Sequence, residues 1–259
     1  MRNAITIIKL GGSIITDKSR PYIPNLPVLK RLAREIKKSG VPVIIVHGAG
    51  SFAHTSAKKY GGKKGYSSQI GISRVFNDAI KINNVVVECL ISKRLPAISF
   101  RPNSLFVARG GKMKYHNLDA VLLSLKQELI PVLYGDVILD EKWKTTIFSG
   151  ETIILHLVLF LQKKDIKVEK VIQVGRTDGV QDENGKTIRQ ISLTSFKKYK
   201  KTIFGSNETD VTGGMLHKVE VSLVLAKGNV PTSIISGLKK NELYNSLVYY
   251  TNSGTLIHK

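Results

Sequence analysis

Short apolar runs alternate along the chain with longer amphipathic segments, and this alternation limits the fold more than any other feature of the sequence. Runs that are bounded by glycine, proline or polar residues are typical of β-strands. The predicted strands span residues 4–10, 41–47, 96–100, 131–134, 170–174, 231–236 and 255–258. The uninterrupted apolar stretch 43–46 is typical of a strand that is buried on both faces of a parallel sheet.

The segments between these strands carry apolar residues at the spacing of a helix face. Residues 26–38 place Leu29, Leu32 and Ile36 on one stripe and are followed by Gly40, which predicts a helix that ends there. The same spacing predicts helices within 153–161 and 215–226, and we expect another over about 70–94. Strands and helices that alternate in this way indicate an α/β fold with a mainly parallel central sheet covered on both faces.

The chain is strongly basic. Its 259 residues include 40 Lys and Arg against 19 Asp and Glu, a formal net charge of +21. The length and an apolar content of 42% supply a full core, which excludes a disulfide-stapled miniprotein and a disordered nucleic-acid-binding tail. The lysines form scattered pairs, which favours solvated helix ends and loops. The total charge also fits an anionic partner, either a polyphosphate ligand or a nucleic acid.

The cysteine content and the absence of long apolar runs bear on location. A lone cysteine, Cys89, lies in an apolar helical stretch, where we expect a buried and inert thiol. No apolar run reaches about 18 residues, and the first strand begins without a secretory segment before it. The sequence therefore predicts a cytoplasmic protein with no membrane partner.

Two glycine-rich loops follow the first two strands. The first is Lys9-Leu10-Gly11-Gly12-Ser13 and the second runs from His47 to His54, where it opens a helix. Backbone N–H groups in such loops bind phosphate at the carboxyl edge of an open α/β sheet, although strand-Gly-Gly is also a common structural turn. Neither loop is a Walker motif or Gly-x-Gly-x-x-Gly, which disfavours a P-loop ATPase and a dinucleotide dehydrogenase.

A third glycine turn, at residues 210–218, enters an amphipathic helix near Lys218. A lysine close to a helix N-terminus is unfavourable to the helix dipole unless an anion offsets it, which favours a functional role over a solvated one. Lysines at both ends of one crevice suit phosphoryl transfer, because negative charge spreads over the moving oxygens.

Five segments, 9–18, 47–54, 134–137, 149–151 and 210–218, together resemble the amino acid kinase superfamily, and within it the archaeal isopentenyl phosphate kinases. The resemblance implies one domain with the form of an open αβα sandwich. An acceptor-binding lobe would occupy about 1–167 and a nucleotide-binding lobe about 168–259. It also implies transfer of the γ-phosphate of Mg-ATP to isopentenyl phosphate, in a homodimer.

The resemblance assigns roles to individual residues. Lys9 and Lys218 would hold the transferred phosphoryl group, Lys18 would add a further cation, and Glu151 would orient the lysines. The residues that would contact the nucleotide, besides Lys9 and Lys218, are Gly11, Gly12, Ser13, Ala49, Arg176, Asp178, Gly213 and Gly214. The residues that would hold the acceptor phosphate are Gly48, Gly50, His54 and Gly150.

The histidines divide into three groups. The imidazole of His54 can be protonated near neutral pH, which suits a phosphate acceptor, although a helix-surface or capping histidine is the alternative. We interpret His47, which ends a buried strand, as a structural hydrogen-bonding residue. The other four histidines show no ligand spacing, so the sequence predicts no histidine metal site, and Mg²⁺ would arrive with ATP.

Three motifs depart from the family pattern. Ala49 and Ala53 replace two loop glycines, which predicts a narrower or reshaped loop. Glu151 stands where the family has Asp, and it can orient the lysines only if the backbone accommodates one additional methylene. Arg176 stands where the family tends to have a carboxylate, so it either grips a phosphate directly or marks changed nucleotide contacts.

Two alternatives follow from these features. Fosfomycin-type phosphonate kinases and uridylate kinase also act on phosphorus oxyacids, and His54 fits the isopentenyl phosphate and fosfomycin group better than uridylate kinase. A non-catalytic nucleotide- or nucleic-acid-binding protein would fit the net charge, Arg176 and Glu151. The joint presence of Lys9, Lys18, His54 and Lys218 argues against this second alternative.

Overall fold

The computed structural model describes residues 4–17, 19–62, 65–66, 68–205, 214–249 and 253–259. The strands within them are β1 (Ala4–Leu10), β2 (Val43–His47), β3 (Gly61–Gly62), β4 (Gly65–Tyr66), β5 (Ala97–Ser99), β6 (Phe106–Arg109), β7 (Lys112–His116), β8 (Ile130–Tyr134), β9 (Asp136–Asp140), β10 (Lys144–Phe148), β11 (Lys167–Gly175), β12 (Gln190–Ser192), β13 (Thr232–Ser236) and β14 (Thr255–His258). The helices are α1 (Gly12–Ile15), α2 (Leu26–Ser39), α3 (Gly50–Tyr60), α4 (Gln69–Ile91), α5 (Pro102–Leu105), α6 (Asp119–Lys126), α7 (Gly150–Lys163), α8 (Phe196–Gly205), α9 (Gly214–Lys227) and α10 (Glu242–Val248).

An eight-stranded sheet forms the centre of the molecule, in the order β12-β14-β13-β11-β1-β2-β8-β5. Neighbouring strands are parallel except for β13 and β14. All seven strands predicted from the sequence lie in this sheet, with bounds that differ by at most three residues. The predicted α/β class with a mainly parallel sheet is confirmed.

Helices cover both faces of the sheet because successive side chains of each buried strand point to opposite sides. On β1, Ile8 and Leu10 pack in one apolar cluster with side chains of α2, α3 and α4. Ile5 and Ile7 pack in a second cluster with side chains of α6, α7 and α9. The result is the αβα sandwich that the resemblance implied.

The helix predicted over 26–38 forms as α2, and its ends show why the sequence stops there. The Asn25 side chain caps the first turn, and Gly40 takes a left-handed conformation after the last. Basic residues occupy the last turns of α2, α3 and α7, where they offset the negative end of the helix dipole. This confirms the interpretation of several lysine pairs as solvated helix ends.

A second, four-stranded sheet in the order β10-β9-β6-β7 was not predicted. The Asp140 carboxylate joins the β6–β7 turn to the β9–β10 turn. It accepts hydrogen bonds of 2.7 to 2.9 Å from the N–H groups of Gly110 and Gly111 in the first turn and of Lys142 and Trp143 in the second. Burial opposes ionisation, but these donors outweigh it and lower the pKa of Asp140 to about 2.

Cys89 lies on α4 as a buried free thiol, which confirms the expected burial, and burial raises its pKa. In the part of the chain that the structure describes, no helix combines the length and apolar character of a membrane span.

Candidate active site

Five adjacent parallel strands end at a glycine, and these glycines line one edge of the sheet. In the spatial order β13, β11, β1, β2, β8 they are Gly237, Gly175, Gly11, Gly48 and Gly135. Backbone hydrogen bonds of 2.7 to 2.9 Å continue the strand pairing through this row. Ligands of open α/β sheets bind at this carboxyl edge, and glycines there leave backbone groups accessible to them.

The two glycine loops that follow β1 and β2 pack directly against each other. A Cβ atom at Gly12 would lie 2.5 Å from the Gly50 nitrogen, and one at Gly48 would lie 2.6 Å from the Gly12 nitrogen. Gly50 opens α3 at φ +53°, a conformation that glycine adopts without strain. The Thr16 hydroxyl fixes the contact, because it donates to the Gly12 carbonyl at 2.8 Å and accepts from the Ser51 N–H at 3.0 Å.

The alanines that replace family glycines do not distort this loop. Ala49 is the residue before α3 and has φ −78° and ψ −14°, a conformation open to any residue. Ala53 lies within α3 and is buried. The expected reshaping of the loop does not follow, since neither position requires a glycine backbone.

Lys9 and Glu151 form a buried ion pair beneath the glycine row. Lys9 leaves the end of β1 and passes against Gly150, where an added Cβ would lie 3.1 Å from the lysine Cε. Its Nζ donates to Glu151 Oε1 at 2.7 Å. The longer side chain of Glu151 therefore reaches the lysine, and the backbone accommodates the additional methylene.

Lys218, on the neighbouring helix α9, also stabilises the charge of the Glu151 carboxylate. Burial alone would raise the pKa of Glu151, but the positive charges of Lys9 and Lys218 and the hydrogen bond from Lys9 lower it to about 2. Lys218 is half-buried in the first turns of α9, and its carbonyl accepts from the Ser222 hydroxyl at 2.7 Å. Lys9 thus contacts the ionised carboxylate, and Lys218, from a distant part of the sequence, lies near enough to stabilise its charge.

The two histidines of the second loop differ in environment. His47 is fully buried, its ring stacks on Tyr134, and its nitrogens contact the Gly48 carbonyl at 3.1 Å and Asn83 Oδ1 at 3.2 Å. Burial lowers its pKa, and the charge of Lys9 lowers it further. The structural interpretation of His47 is confirmed. His54 is half-buried on α3, one turn after Gly50.

The residues assigned to the nucleotide are more exposed. Arg176 is exposed after β11, and Asp178 forms an ion pair with Lys239 at 2.7 Å. Ser13 is half-buried in α1, next to Gly12. Gly214 begins the described part of α9 at φ +58°. Lys18 and Gly213 lie outside the described residues.

Polar groups that the sequence reasoning missed lie around this site. Gln173 pairs with Lys9 in the sheet, and its Nε2 donates to the Ser222 hydroxyl at 3.0 Å. A polar residue inside an apolar strand was the available signal. Ser149 Oγ lies 3.0 Å from both Thr152 Oγ1 and His217 Nε2. No pattern in the sequence could have revealed this last contact, because its partners are 68 residues apart.

A second missed group lies at the motif 134–137. Burial raises the pKa of Asp136 well above its ordinary value, and its Oδ2 has no hydrogen-bond partner among the described residues. The hydroxyls of Tyr66 and Tyr134 also have no hydrogen-bond partner among the described residues. Burial raises the pKa of both tyrosines, and the charge of Asp136 raises it further.

A parallel sandwich with glycine loops at its strand ends, one lysine in contact with a buried carboxylate and a second lysine near it, is typical of phosphoryl-transfer proteins. The amino acid kinase family model matches residues 4–236, and the chain belongs to the amino acid kinase family.

The chain is similar to known proteins over nearly its whole length. The isopentenyl phosphate kinase of Methanocaldococcus jannaschii is 33% identical over 94% of this chain and 95% of that protein. That of Methanothermobacter thermautotrophicus is 32% identical over 97% of this chain and 98% of that protein. A solved isopentenyl phosphate kinase structure, 27% identical, superposes with a TM-score of 0.82 over 98% of this chain and 100% of that chain.

Proposed function

We propose that this kinase transfers the γ-phosphate of ATP to isopentenyl phosphate, giving isopentenyl diphosphate and ADP. The observation that carries the phosphoryl-transfer chemistry is the buried Lys9–Glu151 ion pair at 2.7 Å, with Lys218 acting on the same carboxylate. Similarity to isopentenyl phosphate kinases over almost the full length supports the choice of acceptor.

The acceptor phosphate oxygen attacks the γ-phosphorus in line, without a covalent enzyme intermediate. No general base is needed, because a phosphate monoester is already largely ionised at neutral pH. The negative charge that spreads over the moving oxygens is met by the ammonium groups of Lys9 and Lys218 and by loop N–H groups. Glu151, whose pKa is lowered to about 2, is ionised at neutral pH, and its contact of 2.7 Å fixes the direction of the Lys9 side chain.

The two substrates occupy different parts of the glycine row in this mechanism. The acceptor phosphate lies at Gly48, Gly50 and Gly150, with His54 as a side-chain donor. Gly50 and Gly150 each begin a helix, so the positive end of the helix dipole faces the acceptor anion. His54 is half-buried on α3, one turn after Gly50.

The nucleotide phosphates lie at Gly11, Gly12, Ser13 and Ala49, and the rest of the nucleotide extends toward Arg176, Asp178 and Gly214. Lys18 and Gly213 belong to this set through the family motif. A Mg²⁺ ion would be held mainly by the nucleotide phosphates at these residues, where it would neutralise part of the triphosphate charge, since this ion binds through substrate phosphates and few protein carboxylates.

The remaining expectations complete the proposal. The acceptor-binding lobe comprises about 1–167 and the nucleotide-binding lobe about 168–259, and the enzyme works as a cytoplasmic homodimer. The lone buried Cys89 supports a reducing compartment. Sedimentation of the purified protein measures the oligomeric state directly.

The test is ATP consumption, coupled to ADP detection, with four acceptors: isopentenyl phosphate, dimethylallyl phosphate, fosfomycin and UMP. We expect the highest kcat/KM with isopentenyl phosphate, and mass spectrometry should identify the diphosphate product. The Lys9→Ala variant serves as the control for contaminating kinases. A higher kcat/KM with fosfomycin or UMP would reassign the acceptor. If none of the four acceptors supports ATP turnover and the protein binds RNA in a salt-sensitive way, a nucleic-acid-binding function would replace the proposal.

A further inference from the structure

Ser149 lies at a junction between the two helices that carry the charged groups of the site. It is the residue before α7, and its Oγ accepts from the Thr152 N–H at 3.1 Å, which caps the helix. The same oxygen lies 3.0 Å from Thr152 Oγ1 and 3.0 Å from His217 Nε2. Ser149 is buried, and its partners Thr152 and His217 are half-buried.

The contact joins residues that neighbour the reacting groups in sequence. His217 directly precedes Lys218 on α9, and Glu151 lies two residues after Ser149 on α7. Because Lys218 and Glu151 interact electrostatically, the distance between the two helix starts sets how strongly they do so. On the other side of Lys218, its carbonyl is held by Ser222, which in turn is held by Gln173.

The hydrogen-bonding capacity of the Ser149 hydroxyl explains why a histidine and a threonine suit it as partners. A hydroxyl has one proton to donate, and the Thr152 N–H already occupies one of its lone pairs. The two remaining partners must therefore have opposite polarity: one donates to Ser149 and the other accepts from it. Imidazole and threonine hydroxyl can each do both, so the three-residue network stays satisfied whichever ring nitrogen carries the proton.

We propose that His217 is a positioning residue for phosphoryl transfer, which fixes Lys218 relative to Glu151 through the Ser149 and Thr152 hydroxyls. This inference rests on the proposed function of Lys218. It also gives a role to the hydroxyl of Thr152, which contacts Ser149 Oγ at 3.0 Å. The network supplies a neutral tie between α7 and α9 at that position.

The first test compares two substitutions of His217. His217→Leu keeps much of the volume and removes the hydrogen bond, and we expect kcat to fall about tenfold, since small displacements of a reacting group have effects of this size. His217→Gln keeps a group that can donate or accept, and it should recover most of the loss. Val224→Ala, an exposed position on the same helix, is the matched control and should leave kcat unchanged.

The second test asks whether His217 acts through Lys218. In a Lys218→Ala background, His217→Leu should lower kcat by no more than about twofold, because the group it positions is absent. The same tenfold loss in both backgrounds would overturn the proposal, since it would indicate a general structural role.

A nucleotide-binding measurement separates this inference from the proposed function. Titration calorimetry with a non-hydrolysable ATP analogue and Mg²⁺ requires no acceptor. We expect His217→Leu to weaken binding about three- to tenfold when Lys218 is present, and not in the Lys218→Ala protein. A wild type that binds the analogue but leaves isopentenyl phosphate unchanged would contradict the proposed function alone.

Thr152→Val keeps the inference testable if His217→Leu fails to fold. This nearly isosteric change removes the Oγ1 atom from the network and retains the backbone N–H that Ser149 caps. It should lower kcat several-fold and leave the melting temperature within a few degrees of the wild type. Unchanged kcat and unchanged analogue affinity in Thr152→Val would overturn the proposal if His217→Leu were fully active or failed to fold.

Discussion

The loops after β1 and β11 begin in the same way and end in different environments. Both start with a glycine at the carboxyl end of neighbouring parallel strands. The backbone of the β2 loop encloses Gly12, and Lys9 beside it is buried against Glu151. Gly175 has open space where a Cβ would lie, and Arg176 after it is exposed. One loop is fixed by packing, and the other tolerates a change of side chain.

This difference explains how Arg176 can stand where the family tends to have a carboxylate. At an exposed position the charge is solvated, and the neighbouring Asp178–Lys239 ion pair is partly exposed as well. A reversal of charge inside the Lys9 loop would instead leave an unpaired buried group, at a cost of several kcal/mol. The comparison predicts large effects of substitutions in the first loop and small ones in the second.

The largest effect should come from the two cations that converge on Glu151. Lys9→Ala and Lys218→Ala should each lower kcat by about 10² to 10³, the usual loss when one donor to a transition-state charge is removed. Steady-state assays with saturating ATP and isopentenyl phosphate measure it. Lys240→Ala, an exposed lysine before α10, is the control for loss of charge alone. Equal activity of all three variants would contradict the proposed site.

Shortening or neutralising the carboxylate should have the next largest effect. Glu151→Asp withdraws the charge by one bond length, about 1.5 Å, and should lower kcat about tenfold even though it restores the family residue. Glu151→Gln leaves Lys9 buried without a counterion and should destabilise the protein by about 3 kcal/mol at pH 7.

The pH dependence of stability gives that prediction a sign. Glu151 has a pKa of about 2 in the folded protein, below its ordinary value of 4.5. Its contribution to stability is therefore complete above pH 4.5 and is lost as the pH falls from 4.5 toward 2. Urea unfolding at pH 7 and at lower pH should show the difference between wild type and Glu151→Gln shrinking with acid. A stability difference that does not change with pH would mean that the lysines do not lower the pKa of Glu151.

Matched glycine substitutions test the enclosure of the two loops directly. Gly12→Ala places a Cβ 2.5 Å from the Gly50 nitrogen, and overpacking of this kind costs about 1–3 kcal/mol. For a chain of this size the melting temperature should fall by roughly 2–10 °C. Gly175→Ala meets no atom within 4 Å and should change stability by less than about 0.5 kcal/mol. Similar melting temperatures for the two variants would remove the contrast between the loops.

The smallest effect should come from the exposed ion pair. Lys239→Met removes the partner of Asp178, and surface pairs contribute at most about 1 kcal/mol. The melting temperature should change by no more than a few degrees, and the KM for ATP by less than about threefold. A loss comparable to that of Glu151→Gln would show that the second loop is as constrained as the first.

The central sheet was predictable because glycine and proline bound its strands so clearly. The four-stranded sheet was missed, since a strand such as β7, Lys-Met-Lys-Tyr-His, has no apolar run, and its alternation of polar and apolar residues spans only five positions. Its organiser, Asp140, acts through backbone donors that no side-chain pattern records.

The site shows the same division. The positions of Lys9 and Gly12 follow from their places at the end of a strand, and local sequence carries that information. The contact between Ser149 and His217 depends on how α7 and α9 pack, which local sequence does not contain. The conformation of Ala49 could not be inferred either, because the need for glycine depends on a backbone angle that only the folded loop defines.

The low pKa of Glu151 bears on how reaction rates should respond to acidity. A carboxylate that keeps its charge down to about pH 2 cannot produce an acid limb in the kinetic profile between pH 5 and 8. The second ionisation of a phosphate monoester falls near pH 6, within that window. A decline of turnover in mild acid would then report protonation of the incoming nucleophile, and it would shift with the acidity of whichever monoester is supplied.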